Sequence, residues 1–297
     1  MHLSTVFRAI RPSFIILTPV CVFLGFSLSL KQGIAIDYFI FSLVLIAATF
    51  SHISVNTLNE YFDFKSGLDL KTEKTKFSGG SGALPENPEA GVLVLTVGLL
   101  SLALTIIIGL FLIENAGLKI LPIGIAGIVL IITYTHWLNR FPLLCLFAPG
   151  LGFGVLMVAG TYVMLAGEYA QLAWFISLPP LFLINNLLLL NQYPDMKADA
   201  SVGRRTFPIA FGIKTSNVVY GVFALAAYSL ILVYIINDLI PLLSVIALVP
   251  AVLSIYAFFG VIKYNSKISD YPQYIGANVG AAILAPMLLA ISMVFGY

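Results

Sequence analysis

A chain of 297 residues has room for one or two soluble domains, but 60% hydrophobic and 9% charged residues with a mean hydropathy of +1.03 exclude an ordinary soluble composition. A formal net charge of +2 is too small for a nucleic-acid-binding surface, and two cysteines, Cys21 and Cys145, without metal-ligand spacing give neither a disulfide framework nor a thiolate metal site. What remains is an all-α integral membrane protein.

In chain order the apolar stretches fall at 13–30, 38–62, 91–113, 117–137, 141–166, 170–193, 216–236, 239–263 and 274–296. Each is near the ~20 residues a helix needs to cross a bilayer core, so the chain is expected to form nine transmembrane helices in a single bundle, one domain over 1–297. The first stretch follows Arg8 and Arg11 and has no small-residue cleavage site before Lys31, so it reads as a retained helix and not as a secretory signal. Cytoplasmic loops carry the excess of Lys and Arg. With the N-terminus inside, nine helices put thirteen of the fifteen basic residues inside and leave only Lys31 and Lys119 outside. The expectation is a multi-pass cell-membrane protein with a cytoplasmic N-terminus.

The second stretch runs into Asn59-Glu60-Tyr61-Phe62-Asp63 with Asp69 beyond it, and the sixth into Asn191-Gln192-Tyr193-Pro194-Asp195 with Asp199 beyond. Both clusters then lie at the cytoplasmic side. Acids at the ends of apolar helices are costly and need a cation or donor to compensate. Either cluster alone would serve to solvate a helix end; the matched pair points to a shared task. The two long connections, within 56–90 and 191–215, follow the two clusters, and long loops in compact bundles tend to be functional.

Asn191, Asp195 and Asp199 recur every four residues and project from one helix face. In the first cluster Asn59 and Asp63 share a face, and Gly67 is expected to end the helix and let the chain turn Asp69 back. Mg²⁺ favours one or two carboxylates completed by water and phosphate oxygens, so two facing acidic motifs suit a diphosphate bridged by Mg²⁺. Asp63, Asp69, Asp195 and Asp199 are the expected catalytic ligands, with Asn59 and Asn191 as amide ligands or substrate contacts. After the first cluster come Lys65, Lys71, Lys74 and Lys76 and then Ser78-Gly79-Gly80-Ser81-Gly82; after the second comes Gly203-Arg204-Arg205-Thr206. Cations and glycine backbone amides of this kind neutralise a leaving diphosphate. Lys65, Lys76, Arg204 and Arg205, with Tyr134, are the expected substrate-binding residues. Tyr61, Phe62, Tyr134, Tyr193 and Phe207 are candidates to shield a carbocation, although packing is the ordinary role of any one of them. His52 reads as an interhelical hydrogen-bonded histidine.

These residues resemble the UbiA superfamily of intramembrane prenyltransferases. The run from Asn59 to Asp69 with Ser78-Gly79-Gly80-Ser81-Gly82 is similar to its first aspartate-rich motif, and Asn191 to Asp199 with Gly203-Arg204-Arg205-Thr206-Phe207-Pro208 to its second. Arg11-Pro12, Tyr134-Thr135 and Gly152-Phe153-Gly154 are weaker landmarks. The resemblance implies Mg²⁺-dependent transfer of a polyprenyl group from its diphosphate to an aromatic acceptor, in a helical bundle open laterally to membrane lipid. The Asp63-x5-Asp69 spacing resembles the 1,4-dihydroxy-2-naphthoate branch of menaquinone synthesis. Glu60 replaces an aspartate usual in the family, and 138–152 lacks its Gly-Leu-Gly-acid pattern. Other acceptors therefore stay open: 4-hydroxybenzoate, a haem or chlorin, a phosphorylated glycerol or sugar. An ion-coupled transporter is the competing class, but its acids belong near the bilayer midplane.

Overall fold

The computed structural model describes residues 2–72 and 80–296, and among these nine helical spans are long and apolar enough to cross a bilayer. They are α1 (His2–Lys31), α2 (Tyr38–Lys65), α3 (Pro88–Glu114), α4 (Gly117–Tyr134), α5 (Pro142–Ala166), α6 (Gln171–Ser201), α7 (Phe207–Ile236), α8 (Leu242–Asp270) and α9 (Pro272–Phe295). Helices dominate because a backbone in hydrocarbon has no water to bond and must satisfy itself within each segment. The expected nine stretches are all present, and the differences are at their ends. α6 continues to Ser201 through Pro194, and α7 begins at Phe207, with Gly212 (φ 80°) breaking it after its first turns. α1 is interrupted at Arg11 and Ile16, which separates a short amphipathic helix, His2–Ile10, from the apolar Leu17–Lys31.

Local chemistry sets the limits of α2. Asp37 caps its start, Oδ1 accepting from Phe39 N at 2.8 Å and Ile40 N at 3.2 Å. At its other end Gly67 takes the left-handed conformation (φ 76°), and Leu68 N closes on Asp63 O at 3.0 Å, the expected glycine stop. Inside α5, Pro149 is followed by a π-helical stretch, Gly150–Met157, and Asn185 Oδ1 of α6 accepts from Gly150 N at 2.8 Å.

Backbones approach closely where glycine allows it. A Cβ added at Gly25 would sit 2.3 Å from the Val158 carbonyl oxygen and 2.8 Å from Thr161 Cβ, so α1 lies directly on α5 there. Gly25→Ala is expected to cost about 1–3 kcal/mol by overpacking. A drop of several degrees in the thermal midpoint of the detergent-solubilised protein would register it; an unchanged midpoint would mean that this contact is loose.

α7 and α9 buttress α6 through buried polar contacts. Asn186 Nδ2 donates to Tyr220 O at 2.9 Å, Tyr220 Oη to Asn278 Oδ1 at 3.0 Å, and Asn278 Nδ2 to Asn186 O at 3.0 Å. This leaves α1 to α6 to surround a cavity, and both acidic clusters lie at its same end.

Candidate active site

The cavity holds about 500 Å³. All six expected ligands, Asn59, Asp63, Asp69, Asn191, Asp195 and Asp199, line its polar end, together with Arg11, Tyr134 and Arg204. Below them the walls are aliphatic, from α2 through α5. Leu110 of α3 and Ile125 of α4 line the cavity and are also more than half exposed on the outside of the bundle, so it opens sideways between those spans.

Arg204 joins the two motifs. Its Nη2 pairs with Asp63 and its Nη1 with Asp199 Oδ1 at 3.1 Å, and all three side chains are largely buried. Gly203 in the left-handed region (φ 80°) ends α6 and turns the arginine back, with Arg204 N donating to Asp199 O at 3.1 Å. The loops meet again where Lys71 Nζ approaches Ser201 Oγ at 3.4 Å.

A second ion pair, absent from the sequence-based assignment, lies beside the polar end of the cavity. Glu60 is fully buried; it accepts from Arg11 Nη2 at 3.0 Å, from Ser81 N at 3.1 Å and from the Ser81 hydroxyl. Arg11 adopts an uncommon left-handed backbone (φ 56°) in the break ahead of Pro12. Glu60 therefore faces the 80–82 loop and Arg11, a role set by contacts 21 and 49 residues away in sequence. Arg11 carried a signal as a landmark before Pro12; Ser81 carried one only as part of the glycine run.

Asp69 is brought back as expected, and Gly80 lies against it: a Cβ at Gly80 would be 2.9 Å from Asp69 Oδ1. Burial, then the neighbouring carboxylates of Glu60 and Asp63, push the Asp69 carboxyl up to about 8 despite Arg11 and Arg204 nearby. The folded state thus keeps a proton that the unfolded chain, with an ordinary value of about 4, has already lost. Stability from this group is complete below that lower value and drains away as pH rises through about 8. In EDTA the thermal midpoint is expected to fall as pH goes from about 6 to about 9, and Asp69→Asn to flatten that fall. An equal slope in the variant would mean that another group titrates.

Several expectations need correction. Lys65 is exposed with its Nζ 6.0 Å from the Tyr61 ring centre and does not line the cavity, because two residues beyond Asp63 the helix has turned it to another face. Arg205 is also exposed; its contribution is backbone, N donating to Asn139 O at 2.9 Å. Lys74, Lys76, Ser78 and Gly79 lie outside the described residues. Of the five aromatics only Tyr134 lines the cavity. Tyr61 packs against α1, Phe62 stacks edge-on with His136 at 4.1 Å, and Tyr193 and Phe207 are core residues; Phe14 and Phe153 stand in the wall instead. His52 is the interhelical histidine expected, Nδ1 bonded to Thr18 Oγ1 at 2.8 Å.

The acids have the chemistry a hard cation requires. Asp69 Oδ2 and Asn191 Oδ1 are buried oxygens with no hydrogen-bond partner among the described residues, and both line the cavity. No three His, Cys, Asp or Glu side chains among the described residues close around one point, so protein alone forms no cage. That suits Mg²⁺, which keeps room for water and phosphate oxygens.

Residues 18–291 match the UbiA prenyltransferase family. The chain belongs to that family. UbiA proteins are prenyltransferases, and the lateral opening and paired acidic motifs stand within a fold the chain shares with solved members. It is 26% identical over 302 residues to UbiA prenyltransferase domain-containing protein 1 of Dictyostelium discoideum, covering 92% of this chain and 83% of that one. It is 26% identical over 210 residues to the 1,4-dihydroxy-2-naphthoate octaprenyltransferase of Bacillus subtilis strain 168, covering 69% and 65%. Among solved structures, a digeranylgeranylglyceryl phosphate synthase superposes with a TM-score of 0.69 at 18% identity, over 99% of both chains. A UbiA homolog from Archaeoglobus fulgidus bound to DMAPP and Mg²⁺ does so at 0.63 and 16%, over 94% of this chain and 99% of that one.

Proposed function

We propose that this UbiA prenyltransferase moves a polyprenyl group from its diphosphate to the ring of 1,4-dihydroxy-2-naphthoate, with Mg²⁺, at the cytoplasmic side of the cell membrane. One observation carries the reading: a single cavity has both acidic motifs at one end and a long aliphatic passage at the other. That shape fits an anionic head with a hydrocarbon tail. The Asp63-x5-Asp69 spacing and the Bacillus relative support the acceptor, and the Archaeoglobus structure supports the metal and the diphosphate. The basic residues, thirteen to two in favour of one side, support the orientation.

Mg²⁺ held by Asp63, Asp69, Asp195 and Asp199, with Asn59 and Asn191 beside them, would neutralise the diphosphate as it leaves. Arg11 and Arg204 add fixed positive charge at the same end. As the C1–O bond breaks, its electron pair goes to the diphosphate and an allylic cation is left in the tail passage. Tyr134 at the polar end and Phe14 and Phe153 in the wall line the cavity around it and keep water away from it. The electron-rich ring then forms the new carbon–carbon bond and regains aromaticity by releasing a proton from that carbon or, at the carboxylate-bearing carbon, carbon dioxide, the electron pair of the broken bond returning to the ring.

Purified protein with Mg²⁺, a labelled polyprenyl diphosphate and separate trials of dihydroxynaphthoate and 4-hydroxybenzoate tests the reading, each repeated in EDTA. EDTA-sensitive product from dihydroxynaphthoate alone is expected. Product only from 4-hydroxybenzoate, a chlorin or a phosphorylated glycerol would move the chain to another UbiA branch, and the phosphoglycerol alternative has the digeranylgeranylglyceryl phosphate synthase likeness in its favour.

A further inference from the structure

Gln192 is a deeply buried polar side chain of the second motif that the proposed reaction leaves unused. It is 6% exposed, yet it lines the cavity. Its Nε2 donates to Cys145 Sγ of α5 at 3.4 Å, and its Oε1 has no hydrogen-bond partner among the described residues. An amide oxygen buried without a donor has lost its hydration uncompensated, so such an atom in a binding cavity calls for a donor from the ligand.

The helix fixes where that donor must be. Gln192, Asp195 and Asp199 are spaced i, i+3 and i+7 on α6, so they share a face. Asp199 is joined through Arg204 to Asp63 at the polar end, and Gln192 lies two turns further along α6, towards the aliphatic passage. It is at the boundary where a diphosphate head ends and a prenyl tail begins. The acceptor ring must meet C1 at that boundary.

We infer that Gln192 is a specificity-determining residue that accepts a hydrogen bond from a hydroxyl of the acceptor, held in orientation by Cys145. This rests on the prenyl-transfer reading. The substrate class it selects is a neutral phenol or hydroquinone hydroxyl presented to Oε1. A carboxylate or phosphate at that position would face an oxygen with no proton to give and is disfavoured. A polar site built for a hydroxyl rejects the analogue lacking it, because its own buried group is then left unpaired.

The test compares each hydroxylated acceptor, dihydroxynaphthoate or 4-hydroxybenzoate, with its hydroxyl methyl ethers, in the wild-type protein and in Gln192→Met, at saturating Mg²⁺. The wild-type protein is expected to lose at least about tenfold in kcat/KM when one particular hydroxyl is methylated, the size of one hydrogen bond. Gln192→Met should raise the acceptor KM by a similar factor, abolish the penalty for that ether, and leave the KM for prenyl diphosphate within about twofold. Rescue by Gln192→Asn, which keeps an amide oxygen, should be partial. Equal use of every ether by the wild-type protein overturns the inference even if Gln192→Met fails to fold. So does a methylation penalty that survives in the variant, or a prenyl-diphosphate KM that rises as much as the acceptor KM. Transfer to an acceptor without hydroxyl discrimination would sink this inference alone, whereas no diphosphate turnover with any acceptor would sink it together with the proposed function.

Discussion

Asp63→Ala and Asp195→Ala are each expected to reduce prenyl transfer by at least about 10³-fold while leaving a folded, membrane-inserted protein. The activity loss follows from position: each residue stands in a different motif, and both line the polar end of one cavity. A diphosphate held from two sides loses one side entirely when either is removed. The fold should survive because Asp63→Ala leaves Arg204 paired with Asp199 Oδ1 at 3.1 Å, so no buried cation is stranded. The contrast is Asp37→Ala, which removes the cap at the far end of α2, where Oδ1 accepts from Phe39 N and Ile40 N. That change should cost about 1 kcal/mol of stability and leave transfer unaffected. Single-turnover assays on detergent-purified variants, with a gel-filtration profile for each, separate the two kinds of defect. Full activity in both Asp63→Ala and Asp195→Ala would sink the ligand assignment.

How much of this was legible beforehand depended on whether local rules decided the geometry. The bilayer permits few backbone solutions, so nine apolar stretches became nine helices, and only their ends moved. The four-residue period of Asn191, Asp195 and Asp199 needs nothing but a helix, and Gly67 announces the turn that returns Asp69. Side-chain direction in the loops is another matter. Arg204 and Arg205 are adjacent and chemically alike, yet one is buried between two carboxylates and the other faces outward; only the left-handed turn at Gly203 and the packing of 139 against 205 distinguish them. The aromatics failed for a related reason. In helices apolar all round, periodicity does not say which face meets the cavity, and Tyr193, two residues from Asn191, points into the core to donate to Asn217 Oδ1 at 2.8 Å. Glu60 looked like one more acid of the motif, and its true partners come from α1 and the 80–82 loop.

Arg204→Gln is the variant with the second large effect, and it should be seen in the protein without substrate. With no divalent ion bound, Arg204 is the counter-ion for Asp63 and Asp199 together, and removing one member of a buried ionic cluster costs on the order of 3–5 kcal/mol because the carboxylates remain. The thermal midpoint in EDTA should therefore fall well below that of the wild-type protein. Adding Mg²⁺ should then raise it further in the variant than in the wild type, since an ion binding the folded state stabilises it in proportion to its occupancy and the competing guanidinium is gone. Transfer should nevertheless be lost, because in the proposed reaction the same side chain would supply charge beside the leaving group. Arg204→Lys should recover part of the stability and little of the activity, as an ammonium cannot serve two carboxylates through two separate nitrogens. A Mg²⁺-induced shift in Arg204→Gln no larger than in the wild type would show that the guanidinium and the ion do not share these acids. An enlarged shift with activity lost would mean that one arginine balances the acidic motifs in the resting protein and is needed again when the diphosphate arrives.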